Sequence, residues 1–447
     1  MPNAFRRAAA LGAPLAAAAL LGACTDFLTS GGAASDPNRP SQATAVQRFV
    51  GVQTNLWSIL GSDPLRITSL FTQQLAATGA AYSALGNSYS VTENTTNGFF
   101  TAVYTGGGLV DIRAVQRGAA AVGDSTLLGI AQVQEGLLMG TAADLFGDVI
   151  YTQAYGTPNP ALDPQLAVYD SVQAVLSRAV VNLAATGATN IGPRTADLTY
   201  GGSRARWTAL AHTLKARFYL HLAEVRSNSY ALALPEAQQG IQDSAGSYRA
   251  VFSGAANEQN LNYQFNVVQR SGQIAPGPYL YNLMRSRNDP RLAAYFPDSA
   301  TLGAAFTTPD APQVFVSANE NLLITAESAY RTGNAALALA SLNREQTLAG
   351  VPLTAASTTG PDLLREILTE KYISLFPNIE VWNDYKRTCF PNLPPLASGR
   401  KIPARLLYDA NERQTDPNIP PPTAQPARNA NDPANATDPF GNPCLGQ

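Results

Sequence analysis

Histidine, cysteine, methionine and tryptophan are scarce in this chain: 2, 3, 3 and 3 of 447 residues. So few imidazoles and thiols leave little material for a metal centre or a nucleophilic triad. His212 and His221 stand nine apart on one predicted helix, so they do not share a face at i, i+4, and no HExxH occurs. They read as core-edge or solvated histidines rather than ligands. There is no CxxC, no GxSxG elbow, no P-loop and no GxGxxG; Gly106-Gly107-Gly108 lacks a following lysine and reads as a turn. Charged residues make up only 14% and the formal net charge is −2, which gives nucleic acid no electrostatic footprint to bind. No stretch past the N-terminus approaches the ~18 apolar residues that a membrane-spanning helix requires.

What is present begins with a targeting segment. Arg6-Arg7 is followed by the short apolar run Ala8–Leu20 and by Leu21-Gly22-Ala23-Cys24. A small-residue site ending directly in cysteine resembles the bacterial lipobox, in which the thiol is acylated and becomes the first residue. Residues 1–23 are therefore expected to be a lipoprotein signal peptide, Cys24 the lipidation site, and residues 24–43, rich in Gly and Pro, a lipid-anchored tether. The mature chain would sit on a membrane through its lipid without crossing it.

The rest is organised around Asp197–Val225. Trp207, Leu210, Ala211, Leu214, Phe218, Leu222 and Val225 follow the i, i+3, i+4, i+7 spacing of one helix face, with Ser203 at the N-cap position. Leu127–Asp148, Tyr169–Leu183 and Leu364–Leu375 also carry helical periodicity. Ala326–Gln346 reads as two helices joined at Gly333-Asn334, a tetratricopeptide-like pair. Tyr82–Tyr104 and Asn257–Tyr281 are dense in aromatics, amides and turn formers, and read as irregular.

Six separated segments carry a resemblance. They are Asp36-Pro37-Asn38-Arg39-Pro40; Asp144-Leu145-Phe146-Gly147-Asp148, with Ile150 where proline is usual; Asp197–Gly202 with Trp207 and Leu214-Lys215-Ala216-Arg217; Asn288-Asp289-Pro290-Arg291-Leu292; Glu380–Thr388, with Cys389 in place of glycine; and Arg400–Tyr408 with Glu412 and Asn418. Together, and in this order, they resemble the SusD/RagB-type outer-membrane nutrient-binding lipoproteins. The resemblance implies a mostly α fold, with tetratricopeptide-like helix pairs forming a scaffold and long irregular insertions carrying the ligand face. A SusD-like helical domain would span 44–419, and an irregular C-terminal tail 420–447.

The same resemblance implies a surface-exposed lipoprotein that captures a glycan, oligosaccharide or peptide and delivers it to a SusC-type TonB-dependent transporter, with no catalysis and no cofactor. Sugars are held by aromatic rings and amides. Those residue types make Tyr82, Tyr89, Asn262, Tyr263, Phe265 and Tyr279 the candidate ligand contacts. Glu370, Glu380 and Asp384 could supply a glycosidase pair, but Glu380 and Asp384 beside Lys386 and Arg387 read better as an ion-pair box. Two other functions remain open at this level: a lipid-anchored helical-repeat scaffold for proteins, and an (α/α) barrel glycoside hydrolase. Lastly, once Cys24 is acylated, Cys389 and Cys444 are the only thiols left, and the cell surface permits oxidation. A disulfide fastening the Pro- and Asn-rich tail is expected, against two unrelated thiols.

Overall fold

The computed structural model describes residues 43–96, 98–432 and 435–444. The expected signal segment, Cys24 and the tether to Gln42 lie outside the described residues. The first helices are α1 (Ala45–Gly61) and α2 (Asp63–Phe71), then strand β1 (Leu75–Ala77) and the short helices α3 (Ser83–Ser88) and α4 (Phe99–Tyr104). Next come α5 (Leu109–Ala121), α6 (Ser125–Phe146), α7 (Gln165–Ala184), α8 (Arg204–Leu220) and α9 (Ser229–Gln239). An irregular stretch holds β2 (Tyr248–Ala250), β3 (Ile274–Pro276), α10 (Pro278–Ser286) and β4 (Gln313–Val316). The chain returns to helices with α11 (Ala318–Arg331), α12 (Ala335–Ala349), α13 (Gly360–Ser374) and α14 (Glu380–Thr388). The fold is mostly α, as the resemblance implies.

The central element is α6. Asp124 caps it by accepting from the Leu127 N–H, and nearly every residue after the first turn is buried. A helix apolar on all sides must be surrounded, and α6 packs against α5, α7 and α8. Gly140 is the reason α8 comes so close: a Cβ there would stand 2.1 Å from the Phe218 ring. From α8 the packing continues through α9 to α11, and from α11 to α12 and α13. The α11–α12 hairpin turns at Gly333, whose φ of 84° only glycine adopts without strain. This is the tetratricopeptide-like pair expected from the sequence.

Two expectations are corrected. The organising helix ends at Leu220 rather than Val225, the chain then turning so that the Arg226 N–H reaches the Leu222 carbonyl. Its buried side chains lie on more than one face. The stretch Tyr82–Tyr104, expected as a loop, contains α3 and α4, because Leu85, Phe99, Phe100 and Val103 are drawn into the core.

The family-like segments among the described residues turn out to be structural clasps. The buried Asp197 carboxylate accepts from the N–H groups of Thr199, Tyr200 and Gly202 and, at 2.7 Å, from Trp207 Nε1. Arg217 makes a bidentate bond to Glu320, both N–O distances 2.6 Å, fully inside the protein. Arg387 does the same with Glu327, which Lys371 also reaches at 3.1 Å. Arg291 ties Asp289 to Glu370. Arg405 donates to the Phe146 carbonyl at 2.7 Å, fastening the closing segment to the end of α6.

Cys389 and Cys444 are bonded, with Cα atoms 5.5 Å apart. The segment before Cys444 lies along the body: Asn429 donates to the Asp144 carbonyl, Asn431 to that of His221 and Asn435 to that of Arg387. Cys389 holds φ 54° at the end of α14, the left-handed conformation for which the family's usual glycine is suited.

Candidate ligand-binding groove

Strands β1 and β3 pair antiparallel, Leu75 opposite Pro276 and Ala77 opposite Ile274. The pairing sets the end of α2 beside the start of α10. Gln73, at φ 55°, makes the turn out of α2; Gly277 makes the turn into α10, and a Cβ there would stand 2.0 Å from the Gln73 carbonyl oxygen. Helix α3 folds over β1, with Gly86 against Ala77. These elements and the loop at Pro394 and Leu396 enclose an open groove of about 660 Å³, within the usual range of ligand sites.

Tyr279, Asn87, Asn282 and Gln73 supply the polar lining, over apolar walls from Leu70, Leu75 and Leu283. Tyr279 is half-buried, its ring held edge-on by Tyr372 at 5.8 Å, and burial raises its phenol pKa. Tyr372 is anchored in turn by its hydroxyl, which donates to the Thr72 carbonyl at 2.8 Å. Gln73 donates to the Pro394 carbonyl at 2.8 Å and to the Tyr89 hydroxyl at 3.1 Å, closing one wall. The exposed Asn87 and Asn282 side chains make no hydrogen bond with a described residue. They therefore offer donors and acceptors beside an aromatic ring, which is the chemistry that grips sugar hydroxyls or peptide amides.

The other sequence-derived contacts are placed differently. Tyr89 is buried and its phenol pKa is pushed up to about 12 by burial; its hydroxyl donates to the Phe71 carbonyl. Tyr82 and Asn262 are buried together around Arg66, which donates to the Tyr82 hydroxyl and to Asn262 Oδ1, each at 2.9 Å. Phe265 closes this knot: its ring lies 5.2 Å from Tyr82 and 4.3 Å from the Arg66 guanidinium carbon. Burial alone would raise the Asp63 pKa here, but the charge of Arg66 and the hydrogen bonds from Tyr82 and Arg66 outweigh it and hold it low. Tyr263 and Phe265 are half-buried. Tyr279 is thus the one sequence-derived candidate lining the groove, and Asn87, Asn282 and Gln73 were missed. Asn87 lies within one of the two aromatic-rich stretches and Asn282 one residue past the other, so composition pointed to the neighbourhood without singling them out.

Two buried carboxylate clusters have the residue types of a metal or catalytic centre. Asp144, His221 and Glu380 bring donor atoms within 4.8 Å of one another. His221 is wholly buried between the two carboxylates, Nδ1 2.8 Å from Asp144 and Nε2 2.8 Å from Glu380. Burial would lower its pKa, but the charges of Asp144 and Glu380 prevail and lift it to about 9. Both ring nitrogens are committed, Arg217 stands 3.4 Å from Glu380, and Lys386 donates to the Asp144 carbonyl. This is a buried ion-pair network in which His221 and Arg217 already face the carboxylates, and His221 is a core residue, not the edge residue expected. Glu345 and Glu370 form the second pair, both within 2.9 Å of the Ser374 hydroxyl. Burial and then the charge of Glu370 push the Glu345 pKa up to about 7. Asn319 donates to Glu345 and Arg291 to Glu370. Glu370 borders a small cleft beside Asp289 and Arg291 while Glu345 is fully buried, so the two acids do not face one cleft together as glycoside hydrolysis requires.

Comparison with known proteins fits this architecture. Residues 37–305 match the SusD-like family described as "Starch-binding associating with outer membrane". The chain belongs to that family. Among solved structures it is similar to a chitin-binding SusD homolog from Flavobacterium johnsoniae, with 18% identity, a TM-score of 0.71, and coverage of 88% of this chain and 99% of that one. A SusD-like protein from Bacteroides thetaiotaomicron superimposes with a TM-score of 0.70 at 17% identity, covering 89% of this chain and 100% of the other. A SusD/RagB family protein from the same organism gives 0.68 at 18% identity, with 85% and 95% covered. No curated protein matches the sequence. No helix among the described residues is long and apolar enough to cross a membrane.

Proposed function

We propose that this protein is a lipid-anchored, outer-membrane nutrient-binding protein that captures a glycan, or another polar oligomer such as a peptide, in the groove over Tyr279 and passes it to a SusC-type TonB-dependent transporter. The observation that carries the reading is a large open groove in which a half-buried aromatic ring lies beside the unengaged amides of Asn87 and Asn282. Support also comes from the family's outer-membrane association and from the chitin-binding relative. Cleavage after Ala23 and acylation of Cys24 would supply the anchor, and residues 24–43 the tether between lipid and the helical domain at 44–419. The function requires no covalent chemistry, and the buried acids are spent on structure. Tyr279 contacts ligand in this scheme. Tyr89 supports one wall through Gln73, and Tyr82, Asn262 and Phe265 pack around Arg66.

Calorimetric titration of the protein with chitin and starch oligosaccharides tests the proposal. Tyr279→Ala should weaken binding by about tenfold or more, since one stacked aromatic contributes on the order of 1.5 kcal/mol. Absence of binding to any oligosaccharide or peptide, or an affinity unchanged in Tyr279→Ala, would refute it.

A further inference from the structure

A second cleft lies where the β2–β4 ribbon meets the start of α11 and the end of α13. It encloses about 320 Å³, and its polar lining includes Ser244, Ser247, Arg249, Ser317, Asn319 and Ser374. On the ribbon Tyr248 and Ala250 point into the core, while Arg249, paired with Val314, points the other way into the cleft. The Arg249 guanidinium makes no hydrogen bond or ion pair with a described residue. Among the described residues no carboxylate lines the cleft.

The hydrogen-bonding capacity left over in this cleft is mostly donor. Ser247 and Ser317 accept from the N–H groups of Ala318 and Glu320, so each hydroxyl proton remains available. Ser244 has no side-chain partner among the described residues. Asn378 and Gln313 are already committed on both amide atoms. Asn319 spends its Nδ2 on Glu345 and keeps its Oδ1 as an acceptor. Phe376, Pro377, Val314 and Leu375 form an apolar wall on the same cleft. A ligand that satisfies this set carries an anionic oxygen pair for Arg249 and the serines, a hydroxyl for Asn319, and a C–H face for the wall.

We propose that this cleft binds the carboxylate-bearing ring of an acidic sugar, a hexuronate residue of a polysaccharide, with Arg249 gripping the carboxylate. Its choice of ligand class rests on the glycan-binding reading above; the site itself is separate from the groove at Tyr279. Its volume, at the low end of small-molecule sites, suits a single pyranose ring better than a run of polymer. Arginine presents a planar fork that matches a carboxylate through two parallel hydrogen bonds. Glu345 and Glu370 lie behind Asn319 and Ser374, bonded to them and to Arg291, and do not face the ligand.

The test is calorimetric titration of the full chain near neutral pH with oligogalacturonate, a neutral galactose oligomer, sodium sulfate and a short peptide with a free C-terminus. Oligogalacturonate should bind about tenfold tighter than the neutral oligomer, and Arg249→Gln should remove that advantage. Ser244→Asp, a change at an exposed rim, should do the same by repulsion, and covers the case in which Arg249→Gln fails to fold. Tyr279→Ala should leave the advantage intact, which separates failure of this site from failure of the groove. Equal affinity for neutral and acidic oligomers overturns the proposal. So does an advantage that survives both Arg249→Gln and Ser244→Asp, or one lost in Tyr279→Ala. Sulfate or the peptide binding as tightly as oligogalacturonate overturns it too, by showing an unselective anion site.

Discussion

Raising the pH from 6.5 to 9 should destabilise this protein through His221. In the unfolded chain His221 titrates near its ordinary 6.5; in the fold the carboxylates of Asp144 and Glu380 hold its proton until about 9. Below 6.5 both states carry the proton and the stabilisation is fully present. Between 6.5 and 9 only the folded state retains it, so the unfolded state binds fewer protons and stability falls as pH rises. The interval spans two and a half pH units. At ~1.4 kcal/mol per unit the ceiling on the loss is ~3.5 kcal/mol. Two carboxyls held above their usual values, Glu345 at about 7 and Asp432 at about 6, also favour the folded state at low pH. Their contribution fades as the pH rises through those values, and the Lys386 ammonium, held below its ordinary pKa by burial, adds a slope of the opposite sign, so the share of His221 is the difference between wild type and His221→Gln. His221→Gln should cost ~3–5 kcal/mol at pH 6, because it leaves two buried carboxylates without their shared cation. Its urea midpoint should then fall less than that of wild type from pH 7 to 9. Trp207 and Trp382, both buried, provide a fluorescence signal for the unfolding curves. A wild-type midpoint that does not fall between pH 7 and 9, or a fall of equal size in His221→Gln, would refute the reasoning.

Three further outcomes are expected. Asp197→Ala should lose on the order of 3 kcal/mol in urea unfolding, because Trp207 Nε1 and three backbone N–H groups lose their acceptor in a buried site; a loss below about 1 kcal/mol would show that water replaces the carboxylate. Cys444→Ser opens a bridge between residues 55 apart in sequence, with a ceiling of ~4 kcal/mol on the chain-entropy account. Limited proteolysis of that variant should cut the C-terminal segment first, and a digestion pattern identical to wild type would show that the asparagine clasps suffice. Cys24→Ser should release the protein from membrane fractions, and a variant that fractionates and weighs the same as wild type would remove the lipid anchor from the proposal.

Much of the architecture was legible because helix packing leaves a local signature. The spacing of Trp207, Leu210, Ala211, Leu214 and Phe218 placed a central helix, and Gly333-Asn334 placed the hairpin between α11 and α12. Periodicity failed at the end of α8. There the surroundings are protein on more than one side, so a polar residue such as His221 is buried by partners 77 and 159 residues away rather than exposed by its helix face. The spacing of side chains along one helix carries no information about such partners. The same holds for Arg217 and Glu320, 103 residues apart.

The groove was legible only as a neighbourhood, and the reason lies in how aromatic and amide residues are used. Tyr82, Asn262 and Phe265 have the composition of a sugar site, yet Arg66, once α2 is buried, needs acceptors beyond Asp63 and a ring face, and it takes all three. Tyr279 belongs to the same residue class and escapes that fate because Gly277 starts α10 beside the turn out of α2, leaving the ring half-covered by Tyr372. What makes Tyr82 structural is therefore the buried cation beside it, since Arg66 takes its hydroxyl as an acceptor. Arg66 is saturated by its own core, and Arg249 is not. Any argument for ligand contact in this fold has to begin by asking which donors the protein has already satisfied for itself.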